Sequence, residues 1–117
     1  MKEIKAYLRP ECLDPVVHAL EAEGFDAMTV IPVQALGMLA DPRELRFSPV
    51  LIERYSRSVK IEIICRDDDA ERAVDLIARL ARTGEAGDGL VAVSSVEHLV
   101  KIRTGQSGPE ALAGRRP

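Results

Sequence analysis

The sequence predicts a single α+β domain in which two helices pack on one face of an antiparallel sheet. Segments with apolar residues at every second position alternate with two segments of helical spacing in the order β-α-β-β-α-β, and 117 residues suit one compact domain. Apolar residues make up 46% of the chain, yet it holds only two Phe, two Tyr and no Trp, so the core must be packed from Val, Ile, Leu and Ala. A domain of this size buries roughly 65% of the surface its unfolded chain exposes.

Ile4, Ala6 and Leu8 alternate and predict a half-buried strand over residues 2–8, which Pro10 ends. Leu13, Val16, Val17 and Leu20 fall at i, i+3, i+4 and i+7, the spacing of an amphipathic helix, and Gly24 can close it in a left-handed cap. Residues 27–36 are rich in Val, Ile and Thr and predict a second strand. Pro32 cannot donate to a ladder, which places that strand at an edge or gives it a bulge. Val59, Ile61, Ile63 and Cys65 alternate with Lys60, Glu62 and Ile64 as a third strand. Asp68 and Glu71 have the spacing of a capping box, and Ala73, Leu76, Ile77 and Leu80 continue as a second helix. Val91 and Val93 mark a fourth strand, and residues 99–103 read as a short fifth.

This order is that of a ferredoxin-like split βαβ sandwich, whose helices leave one sheet face uncovered. Thr29, Ile31 and Val33 make that face largely aliphatic and suited to self-association in a closed ring. Residues 106–117, rich in Gly, Pro, Ala and Arg without periodicity, are expected to form a flexible tail beyond a domain of residues 1–105.

Sixteen basic against 19 acidic residues give a net charge of −3, which argues against a nucleic-acid binder. The first five residues alternate charged and apolar types and lead into no long hydrophobic run, so neither a signal peptide nor membrane insertion is expected and the location should be cytoplasmic. Cys12 and Cys65 lack CxxC spacing and sit in apolar patterns, which favours reduced structural thiols. His18 and His98 have no partner at ligand spacing, and Asp67-Asp68-Asp69 stands where a helix begins and favours its positive end, so no metal is predicted. No GxSxG elbow, Walker loop or paired-carboxylate signature is present, and an enzyme is not expected.

About twenty residues, 37–56, join the second and third strands where a hairpin needs two to five. Arg43, Leu45, Arg46, Phe47, Val50, Leu51, Ile52, Arg54 and Arg57 are too apolar for a plain solvated linker. Ser48 and Pro49 can serve as cap and first residue of a short helix through Tyr55. The apolar residues serve either packing on the domain or a sister subunit, or docking of a partner. Further on, Thr83-Gly84 and Gly87-Asp88-Gly89 form a glycine-rich loop, with Lys101-Ile102-Arg103-Thr104-Gly105 twelve residues after it. Exposed backbone N–H groups beside basic side chains suit a polyanion such as a nucleotide phosphate, and composition alone fits a helix cap and turn equally well.

With Ala27-Met28-Thr29-Val30 and Val59-Lys60-Ile61-Glu62-Ile63, these stretches resemble the PII signal-transduction proteins, the GlnB- and GlnK-like family of small trimeric regulators, without a gap over roughly residues 1–105. The resemblance implies a homotrimer with an adenine nucleotide between subunits. It assigns Gly37, Gly87, Asp88 and Gly89 to the nucleotide site, with Lys101 and Arg103 reaching the phosphates across the interface and Thr29 and the backbone of Ile64 at the adenine. It also implies that the 37–56 loop, through Arg43, Leu45, Arg46, Phe47 and Leu51, engages a regulated transporter, enzyme or regulator.

Several positions depart from the family pattern. Leu90 stands where a Lys usually follows the GDG run and Lys101 where an Arg is usual, which favours AMP or ADP over ATP. Leu39 and Ser58 replace the Gln and Lys that hold 2-oxoglutarate, and Leu51 replaces the Tyr that many members carry for uridylylation. The expectation is therefore a divergent PII-like sensor, with bicarbonate among the second signals known in the wider group. A constitutive scaffold with a vestigial cleft and a slow ATP hydrolase are the alternatives.

Overall fold

The structure, a computed structural model, describes residues 1–113. Strand β1 (Lys2–Leu8) turns Ile4, Ala6 and Leu8 inward and leads through a 3-10 turn at Pro10–Cys12 into helix α1 (Leu13–Ala22). The end of α1 shows why Gly24 and Phe25 follow it. The Gly24 N–H donates to Glu21 O at 3.0 Å, the Phe25 N–H reaches back to Leu20 O at 2.9 Å, and Gly24 takes a φ of 93°. This double bond is a Schellman cap, completed by Phe25 and Leu20 entering the same core. Strand β2 (Met28–Ala35), a 3-10 turn at Gly37–Leu39, the short β3 (Arg46–Ser48) and the long β4 (Glu53–Cys65) come next. Helix α2 (Asp67–Ala81) and strand β5 (Leu90–Ser95) complete the main elements.

The main sheet path is β2-β4-β1-β5 with every neighbouring pair antiparallel, the arrangement expected of a ferredoxin-like α+β fold. Register aligns Ile4 with Ile63, Ala6 with Ile61 and Leu8 with Val59, so one sheet face carries a continuous aliphatic surface. Val16 and Leu20 of α1 and Ala73, Leu76 and Ile77 of α2 are buried with it. β2 lies at the sheet edge, where Pro32 costs no ladder bond. Cys12 and Cys65 are free, and burial raises the pKa of both thiols.

Several local expectations are corrected. Residues 48–55 do not form a helix. β3 pairs with the start of β4, Arg46 opposite Tyr55 and Ser48 opposite Glu53, so the third long strand begins at Glu53 rather than Val59. Ser48 does organise a turn, accepting the Leu51 N–H on its hydroxyl at 3.2 Å and the Ile52 N–H on its carbonyl at 2.8 Å. Ile52 then takes a φ of 53°, which ends any helical path and closes a hairpin. The Asp68–Glu71 capping box is absent as well: α2 begins at Asp67 with Arg66 at its cap, and the Asp67 carboxylate receives the N-terminal ammonium at 2.5 Å.

Residues 99–103 are not a strand. Val100 makes a single bridge to Ser107, and the Gly105 N–H donates to Lys101 O at 2.8 Å, closing a turn that Gly105 permits at a φ of 77°. Thr29, Ile31 and Val33 do share the open sheet face, but that face is not largely aliphatic. Glu62, Lys60 and Ser58 stand opposite them, and Lys60–Glu62 and Lys5–Glu3 form ion pairs at 3.2 and 3.7 Å. Within the expected tail, Gly108–Leu112 forms a 3-10 helix joined to the domain by Arg66 Nη2 donating to Pro109 O at 3.2 Å. Residues 114–117 lie outside the described residues.

Candidate functional site

The glycine loop is built around Asp88. Its Oδ2 accepts the N–H groups of Thr83 and Gly84, both at 2.8 Å, and its Oδ1 accepts the Thr83 hydroxyl at 2.5 Å and Arg9 Nε at 3.1 Å. Burial pushes the Asp88 pKa up, but the Thr83 hydroxyl, the two amides and Arg9 outweigh it and hold the carboxyl well below the usual range. Asp88 therefore orders the loop. Among the described residues the N–H groups of Gly87 and Gly89 meet no protein acceptor, and both glycines take a positive φ beside the turn at 86–87. Space makes those glycines obligatory. A β-carbon on Gly87 would lie 2.7 Å from Asp41 Cα, and one on Gly89 would overlap the Tyr7 carbonyl.

Arg9, which sequence reasoning missed, links this loop to the long segment after β2. Its Nη1 pairs with Asp41 and its Nη2 donates to Ala86 O at 2.7 Å. Asp41 is fixed in turn, its N–H donating to Ser56 Oγ at 2.8 Å and its Oδ1 accepting the Arg43 N–H at 3.0 Å. That amide bond is the main cause of the depressed Asp41 pKa, with the Arg9 and Arg43 charges added, against burial. Burial opposes the charge on Arg9, but its bonds to Asp88 and Asp41 raise its pKa above the ordinary value. Arg9, Leu39, Asp41, Arg46, Ser58 and Gly87 line a cavity of about 220 Å³ in which the Ser58 hydroxyl is bonded to Leu8 O at 2.7 Å.

Lys101 and Arg103 lie elsewhere, on the turn that replaces the expected fifth strand. With Ala27, Ile64, Arg66 and Leu112 they line a cavity of about 470 Å³. The Ile64 N–H is bonded to Ala27 O at 3.0 Å, and Lys101 Nζ reaches Ala113 O at 3.4 Å. Thr29 sits on the open face with its hydroxyl 3.5 Å from Glu62 Oε1, and Gly37 opens the 3-10 turn after β2. Six of the predicted nucleotide-site residues thus fall into two groups. Ile64, Lys101 and Arg103 lie near the Cys65 end of β4, which pairs with Lys2, whereas Gly87, Asp88 and Gly89 gather at the Tyr7–Leu8 end of β1. Six residue steps of an extended strand separate those ends by about 20 Å.

The β3–β4 hairpin projects the remaining candidates. Leu45, Phe47, Val50, Leu51 and Ile52 are exposed, with Arg43, Arg46, Arg54 and Arg57 around them. Among the described residues no group of three His, Cys, Asp or Glu side chains could hold a metal ion, and no helix is long and apolar enough to cross a membrane.

Residues 1–106 match the family model described as Nitrogen regulatory protein P-II. The chain is 41% identical over 112 residues to a "Nitrogen regulatory protein P-II" of Bradyrhizobium diazoefficiens, covering 96% of this chain and 100% of that protein. It is 42% identical over 113 residues to "Nitrogen regulatory protein P-II 2" of Methanothermobacter thermautotrophicus, covering 96% and 97%. A relative of the first name from Microchaete diplosiphon is 40% identical over 113 residues. These relatives carry the names of regulators rather than enzymes. Fold, glycine loop and relatives agree that the chain belongs to the nitrogen regulatory protein P-II family.

Proposed function

We propose that the protein is a non-enzymatic, cytoplasmic homotrimeric sensor that binds ADP or AMP between subunits and regulates a partner protein through the 37–56 loop. The observation that carries this reading is the roughly 20 Å between the two groups of site residues, a strand length that one nucleotide does not bridge. Two copies solve the problem when the Gly87–Gly89 end of one meets the Lys101–Arg103 end of the next, and repetition of that head-to-tail contact closes a ring. Free amides at Gly87 and Gly89 then face phosphate from one side, and the Arg103 fork and Lys101 ammonium from the other.

Leu90, exposed at the start of β5, offers no cation beside the loop, which supports AMP or ADP over ATP. Ser58 is bonded to the sheet and Leu39 is apolar, so neither suits the usual keto-acid ligand, and bicarbonate is the smaller second signal to try. The exposed hairpin, apolar at its tip and ringed by arginines, supports docking to a transporter, enzyme or regulator with an acidic-rimmed apolar surface.

Subunit complementation tests the shared cleft. Arg103→Ala and Gly87→Ala chains should each bind ADP about 10- to 100-fold more weakly alone, leaving their sites largely empty at an ADP concentration that fills the wild type. Trimers reassembled from an equal mixture should regain roughly a quarter of the sites, since each cleft draws its two halves from independent chains. No recovery in mixed trimers would assign the site to a single chain.

A further inference from the structure

Arg9 makes none of the nucleotide contacts proposed above, yet its side chain is only 2% exposed and its donors reach different segments. Nη1 pairs with Asp41 at the base of the long loop, while Nε and Nη2 hold Asp88 at 3.1 Å and the Ala86 carbonyl at 2.7 Å in the glycine loop. A buried guanidinium needs paired, hydrogen-bonded partners, and here those partners lie 32 and 79 residues away. Each carboxylate is also tied into its own segment. The Asp88 carboxylate is held by the Thr83 hydroxyl and the Thr83 and Gly84 amides, and the Asp41 carboxylate by the Arg43 amide, while the Asp41 backbone N–H donates to Ser56 Oγ. A shift of either segment therefore acts on the same planar fork. Gly87 adds a steric link, because a β-carbon there would lie 2.7 Å from Asp41 Cα.

We infer that Arg9 is a positioning residue coupling the two loops, so that the arrangement of the glycine loop sets that of the Asp41 segment and, beyond it, the hairpin. The inference rests on the proposed roles of the two loops for its functional meaning, but the coupling itself requires no nucleotide. Lysine cannot replace Arg9 in this role, because a point charge on a single nitrogen does not span three acceptors in two segments.

A mutant cycle on the full chain without nucleotide tests it, with trypsin cleavage after Arg43 and Arg46 followed by mass spectrometry under native conditions. Asp88→Asn touches neither bond, yet should speed their cleavage about fivefold or more, whereas in an Arg9→Met background it should change the rate less than about twofold. Arg9→Lys should behave like Arg9→Met in this assay even if it melts closer to wild type. Cleavage that ignores Asp88→Asn, or responds to it equally in both backgrounds, overturns the coupling. Should Asp88→Asn fail to fold by circular dichroism, Thr83→Val removes one donor from Asp88 and supplies the same contrast. ADP added to the wild-type chain is a separate arm: absence of binding there counts against the nucleotide sensor, while the cycle still decides the role of Arg9.

Discussion

Gly89 lies directly against the carbonyl of Tyr7, where a β-carbon would overlap the oxygen, and its φ of 103° is one that L side chains rarely adopt. The glycine loop is therefore seated on the end of β1 by close backbone contact as well as by the Arg9 side chain. Gly89→Ala should cost about 3 kcal/mol in urea unfolding, combining backbone strain with displacement of a strand. Gly84→Ala, at a φ of 88° in open space, should cost about 1–2 kcal/mol. Equal losses at the two positions would show that the Tyr7 contact is not rigid.

Acid should weaken the fold through Asp88 and Asp41. Both have folded-state pKa values below the ordinary carboxylate, so the unfolded chain takes up protons first as pH falls. The stability they contribute is complete above the unfolded pKa of about 3.9 and is lost as pH drops through the folded values. Urea midpoints measured from about pH 7 to about pH 2 should fall steeply in the wild type and less steeply in Asp88→Asn, which removes one of the two titrations. Parallel profiles would remove Asp88 from this role.

Ile52 holds a φ of 53° at the hairpin turn, an outlier for a β-branched residue, while its side chain is 78% exposed. Nothing in the domain requires an isoleucine there. Ile52→Asn should relieve about 1 kcal/mol of strain and slow amide exchange of its N–H, bonded to Ser48 O, about fivefold. If the exposed tip docks a partner, the same substitution should weaken that complex. Exchange that is unchanged would mean the turn stores no strain.

The long strands were legible because burial on one face writes itself into the sequence: Ile4, Ala6, Leu8, Ile61 and Ile63 alternate with charged, polar or open-face residues. The β3–β4 hairpin was not legible, since both of its faces are largely in solvent and Glu53, Arg54 and Arg57 carry no apolar period. Residues 99–103 misled in the opposite direction, with Leu99, Val100 and Ile102 suggesting a strand where Gly105 turns the chain back. At the candidate site, the glycine loop and the basic pair stand out by residue type. Their separation along β1 depends on strand register, and the burial of Arg9 depends on Asp41 and Asp88, which no local pattern connects to it. Even the short segment Asp67-Asp68-Asp69 suggested a cap at the wrong residue, because Asp67 is drawn to the N-terminal ammonium.

The proposed nucleotide cleft shared by two subunits is checked by calorimetric titration of ADP into the intact protein. One ADP should bind per chain, with affinity falling about 10- to 100-fold in Arg103→Ala as a charge-assisted phosphate contact is lost. Absence of any AMP, ADP or ATP binding at millimolar concentration, or binding indifferent to Arg103→Ala, would contradict it.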